Sequence, residues 1–118
     1  MKTPDMISVL VVNPGSSPVV RQLQNNLESL QEAVSGYIEV IHPHCKENSD
    51  GIVMLVNEDG KLFGLPCNRI LQESNGSAYA CIVGTALIVG CNGRDFLSLS
   101  NNQISKYSAL FANSHVLF

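Results

Sequence analysis

Positive charge is scarce in this sequence: seven Lys and Arg stand against ten Asp and Glu, for a formal net charge of -3 at pH 7. Proteins that grip duplex DNA need a basic face, so this balance disfavours a nucleic-acid partner. Apolar runs are short as well. The longest, Ile7 to Val12 and Cys81 to Val89, are strand-sized and fall far below the ~20 residues that cross a bilayer as a helix. Met1 to Asp5 does not begin a signal peptide, which predicts an intracellular setting, the cytoplasm. No C-x-x-C pair occurs among Cys45, Cys67, Cys81 and Cys91, so reduced thiols are expected, with Cys67 and Cys81 as small hydrophobes of the core.

Catalytic and metal patterns are missing too. His42-Pro43-His44-Cys45 has ligand types that suit zinc, but ligands so close around a proline converge poorly, and no second ligand pair lies at a familiar spacing. His42, His44 and His115 sit in no motif, and Ser16-Ser17 lacks the flanking glycines of a nucleophile elbow. The turn Asn13 to Pro18 has neither a Walker lysine nor a Gly-x-Gly-x-x-Gly pattern. The expectation is therefore a non-enzymatic protein without metal or cofactor. A hydrolase or lyase whose groups only the fold assembles stays open.

What is present is a foldable composition: 118 residues, 45% hydrophobic and 14% charged, which predicts one domain over residues 1–118. Ile7 to Val12 reads as a buried strand ending in the Asn13 to Pro18 turn, and Val19-Val20-Arg21 as a strand pairing back. Leu23, Leu27, Leu30 and Val34 recur at helical spacing. Asn25 with Glu28 forms a capping box and Gly36 supplies a left-handed stop, which places a helix at about 26–35. Tyr37 to Ile41 reads as a strand and His42 to Gly51 as a polar loop. Ile52 to Val56 and Lys61 to Gly64 flank Asp59-Gly60, a hairpin pattern. Ala80 to Gly90 is a long strand region broken by Gly84, and Ser100 with Gln103 caps a last helix at about 101–112. Strands and helices do not alternate regularly, so the expected fold is α+β, a mainly antiparallel sheet with two helices packed on one face.

The best candidate for binding is Lys61 to Arg69, which places Lys61, Asn68 and Arg69 near the ends of a hairpin strand. A guanidinium holds phosphate or carboxylate through paired hydrogen bonds, and an amide both donates and accepts at a base edge or ribose. Alternatively, Asn68 and Arg69 cap a turn and Arg69 pairs with Glu39 or Glu58. Tyr37 and Glu39 share one side of their strand, and Thr85 sits beside Gly84 where a ligand can approach. If these border Arg69, one groove holds an aromatic ring, a carboxylate and a cation; alternatively Tyr37 packs against the first helix.

The residues Pro14-Gly15, Leu27 to Val34, Gly36 to Glu39, Asn57 to Arg69, Val83 to Thr85 and Asp95 to Leu99 together resemble a family of small bacteriophage and mobile-element domains of unknown function. Its most specific segment here is Gly-Lys-Leu-x-Gly-Leu-Pro-x-Asn-Arg, Gly60 to Arg69. Family members often carry two glycines before the tyrosine and an acidic residue before Asp-Phe, where this chain has Ser35 and Arg94. The resemblance implies a phage setting in a bacterial host. By analogy of context, it points to a protein that sequesters a small anionic, nucleotide-type signal of host defence. Arg69, Asn68, Lys61, Tyr37, Glu39 and Thr85 would line the site, enclosed within a homo-oligomer. The alternative is an inhibitor that docks an acidic surface, formed by Glu28, Glu32 and neighbours, on a host defence protein without any small ligand.

Overall fold

A computed structural model describes residues 5–42, 51–73 and 77–117. In chain order its elements are β1 (Met6–Val12), β2 (Val19–Gln24), α1 (Leu27–Val34), β3 (Ile38–Ile41), β4 (Ile52–Asn57), β5 (Cys67–Gln72), β6 (Ala78–Val83), β7 (Ala86–Cys91), β8 (Phe96–Leu97), α2 (Asn101–Leu110) and β9 (His115–Leu117). The larger sheet has the order β2-β1-β7-β4-β3, with β8 also on β7, and every pair in it is antiparallel. The smaller sheet is β6-β5-β9, in which β5 and β9 run parallel. The fold is α+β and mainly antiparallel, as the irregular element order predicts.

Two apolar layers flank the larger sheet. Alternation along β1 sends Leu10 and Val12 to one face and Ile7, Val9 and Val11 to the other. The first face meets the smaller sheet through Leu71, Ile82 and Val116, and α2 through Tyr107 and Phe111. The second face is covered by Leu30 and Val34 of α1. The two helices thus lie on opposite faces, which corrects the expectation of one shared face. The reason is in β4 and β7: every residue of β4 is buried, as are Ala86 to Gly90 of β7, so both sides of the sheet need an apolar cover.

The expected hairpin at Asp59-Gly60 is absent. Both edges of β4 are already paired, with β3 (Val40 opposite Leu55) and with β7 (Met54 opposite Ile88), leaving no edge for a returning strand. Residues 58–64 instead form successive turns: Asp59 N–H donates to Asn57 Oδ1 at 2.8 Å, Phe63 N–H to the Asp59 carbonyl and Leu65 N–H to the Gly60 carbonyl. These turns carry the chain to the smaller sheet. Gly84 brings it back. Its φ of +70° turns β6 into β7, and a Cβ there would stand 2.7 Å from Leu65 Cδ1, so one residue serves as both corner and contact.

Helix ends shift by a residue from expectation. Asn26 rather than Asn25 caps α1, accepting from Ser29 N–H at 2.8 Å, because Asn25 is engaged elsewhere, donating to the carbonyls of Asp5 and Phe96. Ser35, with φ 62°, occupies the left-handed position expected of Gly36. Gly36 is small for another reason: a Cβ on it would meet Asn57 Nδ2 at 2.7 Å. At α2 the capping box between Ser100 and Gln103 forms as expected, the two side chains each accepting from the other's backbone N–H.

Candidate functional site

Arg69 and Asn68 are consecutive on β5, yet both are buried, with 4% and 5% of their surface exposed. Simple alternation forbids this; a bulge between Cys67 and Arg69 permits it. Asn68 Nδ2 donates to the Val12 carbonyl at 2.8 Å and to the Gly84 carbonyl at 2.7 Å, joining the end of β1 to the Gly84 corner. Its Oδ1 accepts from Arg69 Nη1 at 2.9 Å. The guanidinium then reaches three separate segments. Nε donates to the Phe111 carbonyl at 2.9 Å, Nη1 also to the Asn68 carbonyl at 3.0 Å and, at 3.5 Å, to that of Asn13, and Nη2 to the Ser16 carbonyl at 2.5 Å.

Together the two side chains clasp both sheets, the Asn13 to Ser16 turn and the end of α2. The salt bridge to Glu39 or Glu58 considered from sequence is not made. Among the described residues every acceptor on Arg69 is a neutral oxygen, and burial lowers its pKa from the ordinary arginine value. The Phe111 carbonyl lies at the C-terminal end of α2, whose dipole supplies about half a negative charge. Arg69 and Asn68 border a cavity of about 430 Å3 whose lining also includes Gly15, Ser16, Ser17, Ala112, Asn113 and Ser114. Thr85 borders the same turn, its hydroxyl donating to Asn13 Oδ1 at 2.7 Å.

Lys61 and Glu39 lie elsewhere. They line a groove of about 420 Å3 between β3, β4 and β6, together with Glu58 and Cys81. With two carboxylates around one ammonium, this groove is no anion site. Tyr37 is 69% exposed, and its carbonyl accepts from Glu58 N–H at 2.8 Å. The single groove joining Tyr37, Glu39 and Arg69 is therefore not formed: β3 is an edge of the larger sheet, whereas Arg69 sits on the central strand of the smaller one. Of the zinc-like cluster, only His42 belongs to the described residues, since residues 43–50 lie outside them.

The comparison with known families matches residues 7–112 to a domain of unknown function, DUF3846. The chain belongs to the DUF3846 family. Comparisons with curated proteins and with solved structures each return no match. In this DUF3846 domain the Asn-Arg end of the Gly60 to Arg69 segment is a structural clasp, while its Lys61 lines the other cavity.

Three features escaped sequence reasoning. Arg69 is held by backbone carbonyls, which carry no residue signature. Asn57, 6% exposed, donates from Nδ2 to the Val34 and Ser35 carbonyls at 3.1 and 3.2 Å, closing the C-terminal end of α1. Cys67 and Cys81, expected in the core, are exposed and adjacent, with sulfurs 3.4 Å apart. They lie on the outward side of β5 and β6, a side that apolar neighbours in the sequence disguise.

Proposed function

We propose that this protein binds and sequesters a small anionic, nucleotide-type ligand in the cavity over Arg69, without transforming it. The reading rests on one observation: a buried guanidinium with no carboxylate partner among the described residues borders a cavity of about 430 Å3 whose lining includes three serines and two asparagines. Its full unit charge exceeds the half charge at the end of α2. An anion entering the cavity would meet the guanidinium's charge, and Ser17, Asn113 and Ser114 on its lining supply polar groups for it. The setting that fits such a protein is a phage or mobile element in a bacterial cytoplasm, and the ligand a signal of host defence. The edge strand β2 follows the Gly15 to Ser17 wall and exposes Val19 and Val20, so pairing of two copies there would enclose the ligand.

The test is to incubate purified protein with cyclic dinucleotides and ADP-ribose derivatives, remove free ligand, heat-denature and identify what is released by mass. Unaltered nucleotide is expected, together with a ligand-dependent rise in unfolding temperature, about 2.7 kcal/mol at a hundredfold excess over Kd. Ser17→Phe, which fills the cavity from an exposed position, should abolish both effects. A chemically changed nucleotide would make the protein an enzyme, and no retained ligand would remove this reading.

A second reading has its own support. Leu62 and Phe63 stand 80% and 67% exposed on the turns after β4, which makes an apolar knuckle suited to a protein partner. If Leu62→Asp abolishes capture of a host defence protein while the nucleotide panel stays empty, the protein is an interaction inhibitor.

A further inference from the structure

Cys67 and Cys81 sit on adjacent strands, and pairing register brings them together. Cys67 lies opposite Val83 and Cys81 opposite Ile70, so the two cysteines are diagonal neighbours on the outer side of the β5–β6 pair. Their sulfurs share a hydrogen bond at 3.4 Å, and both residues are exposed. A disulfide is about 2.05 Å long, so closure asks the sulfurs to approach by roughly 1.4 Å, through side-chain rotation together with adjustment of the strand backbone at the bulge beside Cys67. Cys81 also lines the groove that holds Lys61, Glu39 and Glu58. That groove carries charges of both signs, Lys61 for a carboxylate and Glu39 and Glu58 for an ammonium, the two kinds of group a peptide-type disulfide presents.

We propose that Cys67 and Cys81 form a dithiol site that reduces a small-molecule disulfide, of the glutathione class, and closes into an intramolecular disulfide. Cys67 is the attacking thiol in this scheme: the hydrogen bond between the two sulfurs and partial burial hold the Cys81 thiol's pKa up, Lys61 opposing them. Cys67 gives its proton to solvent and its thiolate attacks one sulfur of the small disulfide; that S–S bond breaks, one small thiolate leaves and takes up a proton from solvent, and a mixed disulfide forms on Cys67. Cys81 then gives its proton to solvent, attacks Cys67 Sγ and expels the second small thiol. The balance is two protein thiols oxidised to one disulfide and one small disulfide reduced to two thiols. The bond would tie β5 to β6 and lock the strand beside the Asn68–Arg69 bulge.

The test uses the full chain, fully reduced, equilibrated in mixtures of reduced and oxidised glutathione, then quenched by alkylation, digested without reductant and mapped by mass. The expected product is one reversible cross-link between the Cys67 and Cys81 peptides, with Cys91 alkylated as a free thiol. In Cys81→Ser the glutathione adduct on Cys67 should outlast that of the wild type by ~10-fold or more, since an intramolecular thiol acts at high effective concentration. Separate alkylation of Cys67 and Cys81 throughout, or a lasting glutathione adduct on wild-type Cys67, overturns the proposal. The wild-type map decides even if the variant does not fold.

Discussion

Replacing Arg69 with methionine tests the clasp most directly, because the side chain keeps its length and apolar stem and loses its donors. Three short bonds disappear: to the Phe111 carbonyl at 2.9 Å, to Asn68 Oδ1 at 2.9 Å and to the Ser16 carbonyl at 2.5 Å. Hydrogen bonds from a charged group contribute about 1.5 to 3 kcal/mol each, roughly 5 to 9 kcal/mol in all. Removing a buried cation also relieves several kcal/mol of desolvation, so the net loss is about 3 to 5 kcal/mol. Against a total of about 5 to 15 kcal/mol for a domain, that is severe. An unfolding entropy of about 2.1 cal/mol/K per residue makes 1 kcal/mol about 4 °C here, so Tm should fall by roughly 12 to 20 °C. Urea titration and thermal melts followed by circular dichroism measure both quantities. Arg69→Lys keeps the charge but not the planar fork and should lose about half as much. A loss under about 1 kcal/mol for Arg69→Met, the range of surface substitutions, refutes the clasp.

Asn57→Ala leaves the Val34 and Ser35 carbonyls at the end of α1 without their donor and should destabilise by about 1 to 3 kcal/mol, read from the shift in urea midpoint at constant slope. Ser35→Gly relieves a left-handed serine and should stabilise by about 1 kcal/mol; an unchanged or lower midpoint contradicts the conformation assigned to it. Gly84→Ala meets both a positive φ and Leu65 Cδ1, and should destabilise by about 1 to 3 kcal/mol in the same assay. The pKa of Cys81 is raised from 9.0 chiefly by its hydrogen bond with Cys67. The stabilisation this represents is present below about pH 9 and lost as pH rises through the folded value. The urea midpoint of reduced protein should therefore fall above pH 9 more steeply in the wild type than in Cys67→Ser.

The local elements were largely legible in the sequence, because their causes are local. The β-branched run at Ile7 to Val12, the turn at Asn13 to Pro18 and the Ser100–Gln103 box each act within a few residues. Of the apolar stripe expected of the first helix, only Leu30 and Val34 are buried on it, Leu23 lying on β2 and Leu27 being exposed. The two helix caps of α1 slipped by one position because adjacent residues compete for each cap and distant partners decide between them: Asp5 and Phe96 of β8 engage Asn25, and Asn57 crowds Gly36. Arg69 and Asn68 were recognisable as unusual residues, but not as a clasp, since their partners are carbonyls from segments far along the chain.

Composition and pattern by themselves determined that this chain folds as α+β, and placed β1 to β4 and both helices to within a few residues, whereas β8 and β9 were not among the expected strands. Only the tertiary structure decided that β4 is central rather than half of a hairpin, because strand edges are claimed by partners that sequence order does not name. It placed the helices on opposite faces, because two-sided burial of β4 and β7 demands cover on both. It separated Lys61 and Glu39 from Arg69 and joined Cys67 to Cys81, because a bulge and a strand register set which side chains meet. Such register depends on long-range pairing, and the identities of the residues concerned do not encode it one by one.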